Sequence, residues 1–179
     1  MIKCNLAVLL AERNIKISEI SKRTGISRTT ITALNQNQSK GIQFDTFDTL
    51  CNFLKIKPND LFIQEPLEYD FEVIEIKPND SPNTYNYLDL KISAEIQHKN
   101  ELLKMTFECT VKSREEHNEV TQIYISPTYP NEIQHLFNSI PITFKVSVEQ
   151  ELLEVIKATL VVELNLNDNI EVVLNPFSI

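Results

Sequence analysis

The stretch Ile17 to Gln36, ISEISKRTGISRTTITALNQ, constrains this chain more than any other. Ile17 and Ile20 lie three apart, and so do Ile31 and Leu34, so two short segments each carry an apolar stripe at helical spacing. Between them stands Gly25, which can take a positive φ without steric penalty. Ile26 follows as the apolar plug of the turn. Ser27 is placed to cap the second segment, because its hydroxyl can accept a bond from an unpaired backbone N–H. Ser21 is small where the two segments would approach each other. The spacing predicts two short helices joined by a tight turn. The plainer alternative is a surface helical hairpin in an ordinary bundle.

Two helices in this layout form a helix-turn-helix, whose second helix enters the major groove of duplex DNA. The second helix turns Arg28, Thr29, Thr30, Thr32 and Asn35 outward, all short or planar hydrogen-bonding side chains. Arg28, Thr29 and Thr32 lie at the start and one turn into that helix, so they are the candidates for reading base edges. Candidates for contacts to the DNA backbone are Lys16, Lys22, Arg23 and Lys40, together with Thr30, Asn35 and Gln36.

The flanks extend the pattern. Ile2 to Arg13 reads as a helix with Leu6, Leu9 and Leu10 inside. A polar loop, NQNQSK, leads to Gly41. Phe44 to Leu54 reads as a helix with Phe44, Phe47, Leu50, Cys51 and Leu54 on one side, and Pro58 opens a last short turn in which Leu61 and Phe62 fold back. With TGISRTTITALNQ followed by GIQFDTFDTLCNFLKIKPNDLF, residues 1 to about 65 resemble the Cro and phage-repressor (XRE) type of helix-turn-helix domain. The resemblance implies an all-α, five-helix, lambda-repressor-like head over residues 1–66, and DNA as its partner. Two positions depart from the family pattern. Lys16 stands where a capping Thr or Ser is usual, with Ser18 available to cap a later start, and Asn37-Gln38 replaces the usual Asn-Gly after the recognition helix.

Composition divides the chain at the same place. Both glycines lie within residues 1–66, and residues 67–179 have none. Residues 1–66 hold nine Lys or Arg against six Asp or Glu, a charge of +3, whereas residues 67–179 hold eight against nineteen, a charge of −11. An acidic total of −8 would argue against a nucleic-acid binder, but a basic head on an acidic body can still dock on DNA. Two domains are expected, 1–66 and 67–179. No long apolar run or leader pattern is present, and Cys4, Cys51 and Cys109 are odd in number and far apart. Reduced cysteines and a cytoplasmic location follow as expectations, with Cys4 and Cys51 placed in helices.

Residues 67–179 read mainly as strands. Asp70 to Ile76, Leu88 to Ile96 and Leu103 to Val111 alternate apolar with polar residues, the last two joined by the turn Lys99-Asn100. Val120 to Ile125 is a further strand, and Asn131 to Phe137 a short helix. Ile142 to Val148 alternates again, and Glu149 to Ala158 is ambiguous with a lean to strand. Leu160 to Leu166 and Ile170 to Leu174 would form a hairpin over Asn167-Asp168-Asn169. The expected class is an antiparallel β-rich domain, sandwich-like or α+β.

No catalytic constellation emerges, so an enzyme is not expected. No cofactor or metal is expected either. His98, His117 and His135 are dispersed and lack ligand-spaced neighbours, and each is expected at a surface or turn. The first functional reading is a sequence-specific transcriptional regulator, a repressor of a phage or mobile element, on a palindromic operator, with the body making a homodimer. The alternative keeps the head for autoregulation. It makes the acidic body an inhibitor of a basic host nuclease, an architecture similar to that of some anti-CRISPR proteins. A ligand sensor is a third reading, with no pocket marked in the sequence.

Overall fold

The computed structural model of the chain describes residues 1–79, 86–116, 119–164 and 170–174, the side chains of 86, 87, 114–116 and 119–121 apart. The chain divides into two units, Met1–Glu65 and Pro66–Ile179.

The first unit opens with a strand, β1 (Ile2–Cys4), and only then with helix α1 (Leu6–Glu12). The single helix expected from Ile2 to Arg13 is therefore corrected. Ile2–Cys4 pairs antiparallel with β2 (Phe62–Gln64), about sixty residues on in the chain, and local periodicity cannot register such a partner. Cys4 thus lies in a strand. Between the strands come α2 (Ile17–Thr24), α3 (Arg28–Asn35), α4 (Phe44–Leu54) and the single turn α5 (Pro58–Leu61). Their apolar stripes meet in one core of Leu6, Leu9, Leu10, Ile20, Ile31, Leu34, Leu50, Cys51, Leu54 and Leu61. Phe44 is the exception to the α4 stripe. It is the first residue of the helix and is 87 % exposed. Phe47 packs its ring edge-on against Phe62 at 5.4 Å. The carboxylate of Asp60 accepts from the Lys57 N–H at 2.8 Å and closes the α5 turn.

The second unit is one five-stranded sheet in the order β3 (Leu67–Asn79), β4 (Asn86–His98), β5 (Glu101–Glu116), β6 (Glu119–Thr128), β7 (Glu171–Leu174). Strands β3 to β6 are antiparallel neighbours in sequence, and Lys99 takes a positive φ in the β4–β5 turn. Inward positions follow period two: Leu90, Ile92, Ala94 and Ile96 on β4 oppose Cys109, Phe107, Met105 and Leu103 on β5. His98 continues the β4 phase and is buried at 9 % exposure, so the expected surface position does not hold for it. His135 is exposed, and His117 lies outside the described residues. In β3 a bulge between Val73 and Glu75 skips one residue. Without it Glu75 would point inward after Phe71 and Val73. With it Ile76 takes the inward place opposite Leu90, and Ile74 is left exposed.

The remaining layer is helical. α6 (Asn131–Ser139) and α7 (Ile142–Glu163) connect β6 to β7, which pairs parallel with β6. Parallel neighbours need a long crossover, and these helices supply it. Three strand expectations fail here together: Ile142 to Val148, Glu149 to Ala158, and the first arm of a hairpin from Leu160. Phe144, Val148, Leu152, Ile156 and Leu160, each four apart, are all buried, and α7 also packs against β3 and β7. Pro130 and Pro141 stand just before the two helices, where their carbonyls accept from Gln134 and Phe144. The turn Asn167-Asp168-Asn169 lies outside the described residues. Among the described residues of this unit there is one sheet with a helical layer, the α+β alternative, with a parallel pair at its end.

Candidate nucleic-acid interface

The turn between α2 and α3 is built by local hydrogen bonds. Gly25 closes α2 at φ 79°, its N–H donating to the Ser21 carbonyl at 3.0 Å. The Thr24 hydroxyl donates to the Ile20 carbonyl at 2.7 Å and accepts from the Ile26 N–H at 3.3 Å. Ser27 then caps α3: the Thr30 N–H donates to its Oγ at 3.1 Å, and the two hydroxyls lie 2.8 Å apart. These bonds fix where α3 begins and how it is rotated.

Rotation decides which side chains are presented. Ile31 and Leu34 are buried in the core. At 3.6 residues per turn, the side opposite them carries Thr29, Thr32, Ala33 and Gln36. Arg28 and Thr30 flank this stripe, and the Thr30 hydroxyl is engaged with Ser27. Arg28, Thr29, Thr30 and Gln36 are exposed, while Thr32, Ala33 and Asn35 are half-buried. Ala33 was missed by a reading that looked only for hydrogen-bonding side chains. The helical phase set by Ile31 and Leu34 would have found it, and an alanine methyl can meet a thymine methyl.

The cations divide into three settings. Lys16, Lys22 and Arg28 line one open cleft of about 440 Å³ with Ser18, Glu19 and Ser21. Lys16 is the N-cap of α2 and makes no side-chain cap bond, and Ser18, at the second helical position, does not replace it. The start of α2 is thus without a side-chain cap, the Glu19 and Ile20 N–H groups donating to the Lys16 carbonyl at 2.9 and 3.2 Å. Arg23 is turned elsewhere. Its guanidinium pairs with Glu19 at 3.1 Å and lies over the Phe53 ring, 4.7 Å from the centroid. Lys40 lines a second cleft, of about 290 Å³, beside Asn37, Ser39 and Gly41. Among the described residues no three His, Cys, Asp or Glu side chains converge as a metal site, and no helix is long and apolar enough to cross a membrane.

Comparison with known proteins bears on this same region. Residues 5–66 match the family model of the Cro/C1-type HTH DNA-binding domain. The uncharacterized HTH-type transcriptional regulator YozG of Bacillus subtilis (strain 168) is 32% identical over 57 residues, which are 32% of this chain and 68% of the relative. The crystal structure of a Bacteroides fragilis protein whose name proposes DNA binding aligns with 35% of this chain and 98% of its own, at 24% identity and a TM-score of 0.32. Through its first 66 residues this chain belongs to the Cro/C1-type helix-turn-helix family of DNA-binding proteins.

Proposed function

We propose that this chain is a sequence-specific transcriptional repressor of a phage or other mobile element, acting in the cytoplasm. The observation that carries the reading is the outward stripe Thr29, Thr32, Ala33 and Gln36, set opposite the buried Ile31 and Leu34 and beside a cleft that gathers Lys16, Lys22 and Arg28. In this reading Arg28, Thr29 and Thr32 meet base edges, and Lys16, Lys22, Lys40, Asn35 and Gln36 meet phosphates. Arg23 and Thr30 already engage Glu19 and Ser27, and any contact they make to the backbone uses the N–H and O–H capacity these bonds leave.

The acidic body makes the chain a homodimer, so that two heads meet paired half-sites of a palindromic operator. Ile142 and Val146 support this part, since they lie one turn apart on α7 and are 54 % and 43 % exposed. The test is selection of bound duplexes by the full chain from a random pool, followed by footprinting. Paired half-sites about 10 bp apart, or a multiple of that, are expected for a dimer of such heads. Absence of any enriched duplex would overturn the proposal.

A further inference from the structure

Asn37 occupies a backbone position that ordinarily favours glycine. At φ 56° it is the left-handed residue just past α3. The Gln38 N–H donates to the Ala33 carbonyl at 2.9 Å, and the Asn37 N–H to the Leu34 carbonyl at 3.2 Å. These are the two bonds of a Schellman helix end, and neither of them uses a side chain. The Asn37 side chain makes two further bonds. The Cys4 N–H donates to Oδ1 at 2.6 Å, and Nδ2 donates to the Cys4 carbonyl at 3.0 Å.

The ribbon explains why Cys4 is available. The Glu65 N–H donates to the Met1 carbonyl at 3.0 Å, and the Asn5 N–H to the Leu61 carbonyl at 2.8 Å. Alternate residues of an antiparallel strand face the partner strand. Met1, Lys3 and Asn5 therefore face β2 and its flanks, and Cys4 faces away. The Asn37 amide sits on Cys4 as a third strand would, offering one acceptor and one donor.

We propose that Asn37 is a positioning residue for DNA reading. Its amide ties the C-terminal end of the recognition helix, and the exit loop that carries Lys40, to the ribbon that closes the head. Gln36 and Lys40 belong to that end, while Arg28 and Thr29 are held by the Ser27 cap at the other. With the tie cut, the far end keeps its apolar anchors, Leu34 in the helix and Ile42 beyond the loop, but loses its polar link to the ribbon, and part of its ordering must then be supplied on binding. The proposal rests on the DNA-binding reading above and names what fixes the geometry of that site.

The test compares full-length wild type with Asn37→Gly and Asn37→Asp, using a duplex that the wild type selects from a random pool. Glycine is the better residue for a left-handed helix end, so a backbone role alone gives a neutral or stabilising change. The proposal expects the opposite for Asn37→Gly. Amide exchange at Cys4 and Gln38 rises about tenfold while that of Ile20 and Leu50 is unchanged, and affinity falls by about the same factor, as for loss of one net hydrogen-bonded tie. The dependence on salt keeps its slope, because the number of phosphate contacts is the same. Asn37→Asp keeps the acceptor for the Cys4 N–H but sets an oxygen against the Cys4 carbonyl and a negative charge at the helix C-terminus, so it loses at least as much affinity as Asn37→Gly. Affinity of Asn37→Gly within about twofold of wild type overturns the proposal, as does exchange that rises throughout the head. If the wild type selects no duplex, the DNA-binding reading itself fails. The positioning role fails with it, and local exchange at Cys4 then reports whether the tie is structural.

Discussion

Arg28 illustrates how much of a site depends on one residue at the start of a helix. It is exposed, it lines the cleft with Lys16 and Lys22, and it has the fork that pairs with guanine. Arg28→Ala should relax base preference at one position per half-site, a loss of roughly 1–3 kcal/mol in discrimination. An unchanged footprint and affinity profile would remove it from the base-reading set. Ser27 and Gly25 act one step earlier, on placement. Ser27→Ala removes the acceptor for the Thr30 N–H and should cost about 1 kcal/mol in denaturant unfolding. Gly25→Ala tests the turn in isolation: a Cβ there would meet nothing within 4 Å, so any loss is conformational. A left-handed alanine should cost roughly 1–2 kcal/mol, and a neutral result would show that the turn can relax.

At the level of elements, the sequence was legible where the deciding partners are near in the chain. The two stripes around Gly25, the cap at Ser27 and the hairpin at Lys99 are all settled within a few residues, and the structure forms each of them. What the sequence hid was long-range pairing. Ile2–Cys4 becomes a strand only because Phe62–Gln64 lies beside it. In α7 the alternation of Ile142, Phe144, Val146 and Val148 imitates a strand, since period two also contains every fourth residue. The core uses only Phe144 and Val148, and the other pair is exposed. This separates the two readings by experiment. Val148→Lys should unfold the body, whereas Val146→Lys should leave it folded, its cost confined to the dimer contact that Val146 is proposed to make. A strand would make the two substitutions equivalent.

The same helix carries a pH dependence. Burial pushes the Glu149 carboxyl above the usual carboxylate range, and Lys145, 4.0 Å away and 5.5 Å above the Phe137 ring, offsets this in part. A carboxyl whose folded pKa is raised holds its proton more tightly when folded. Its contribution is most favourable below the unfolded pKa and is lost as pH rises through the folded one. Glu149→Gln should therefore stabilise the protein at neutral pH and leave it unchanged in acid, as read from denaturant midpoints at both pH values. A variant less stable at neutral pH would mean that the ion pair with Lys145 outweighs the burial.

Across the whole molecule the charge division sets what each part can do. A head of +3 that places three cations, Lys16, Lys22 and Lys40, on phosphates should show log K falling with log salt at about −0.9 per contact. Lys40→Ala should then weaken binding to all duplexes alike and reduce that slope by about one contact, while a loss confined to one sequence would make Lys40 a base reader. The body, at −11, should repel DNA by itself, and it holds its own core of sheet and α7 residues. Pro66 belongs with it, because its carbonyl accepts from the Lys99 N–H at 2.9 Å. Segment 66–179 alone should therefore be folded, fail to bind DNA, and sediment as a dimer. Ile142 and Val146 offer the exposed apolar side of α7 for that contact, so Ile142→Glu with Val146→Glu should give a folded monomer. In the full chain the same pair of changes should lower affinity for a two-half-site operator far more than for a single half-site, since two linked heads bind with an effective concentration that two separate ones lack. A wild-type segment 66–179 that sediments as a stable monomer would refute the dimerising role of the body, and the operator would then have to be read by heads that pair through residues 1–65 or not at all.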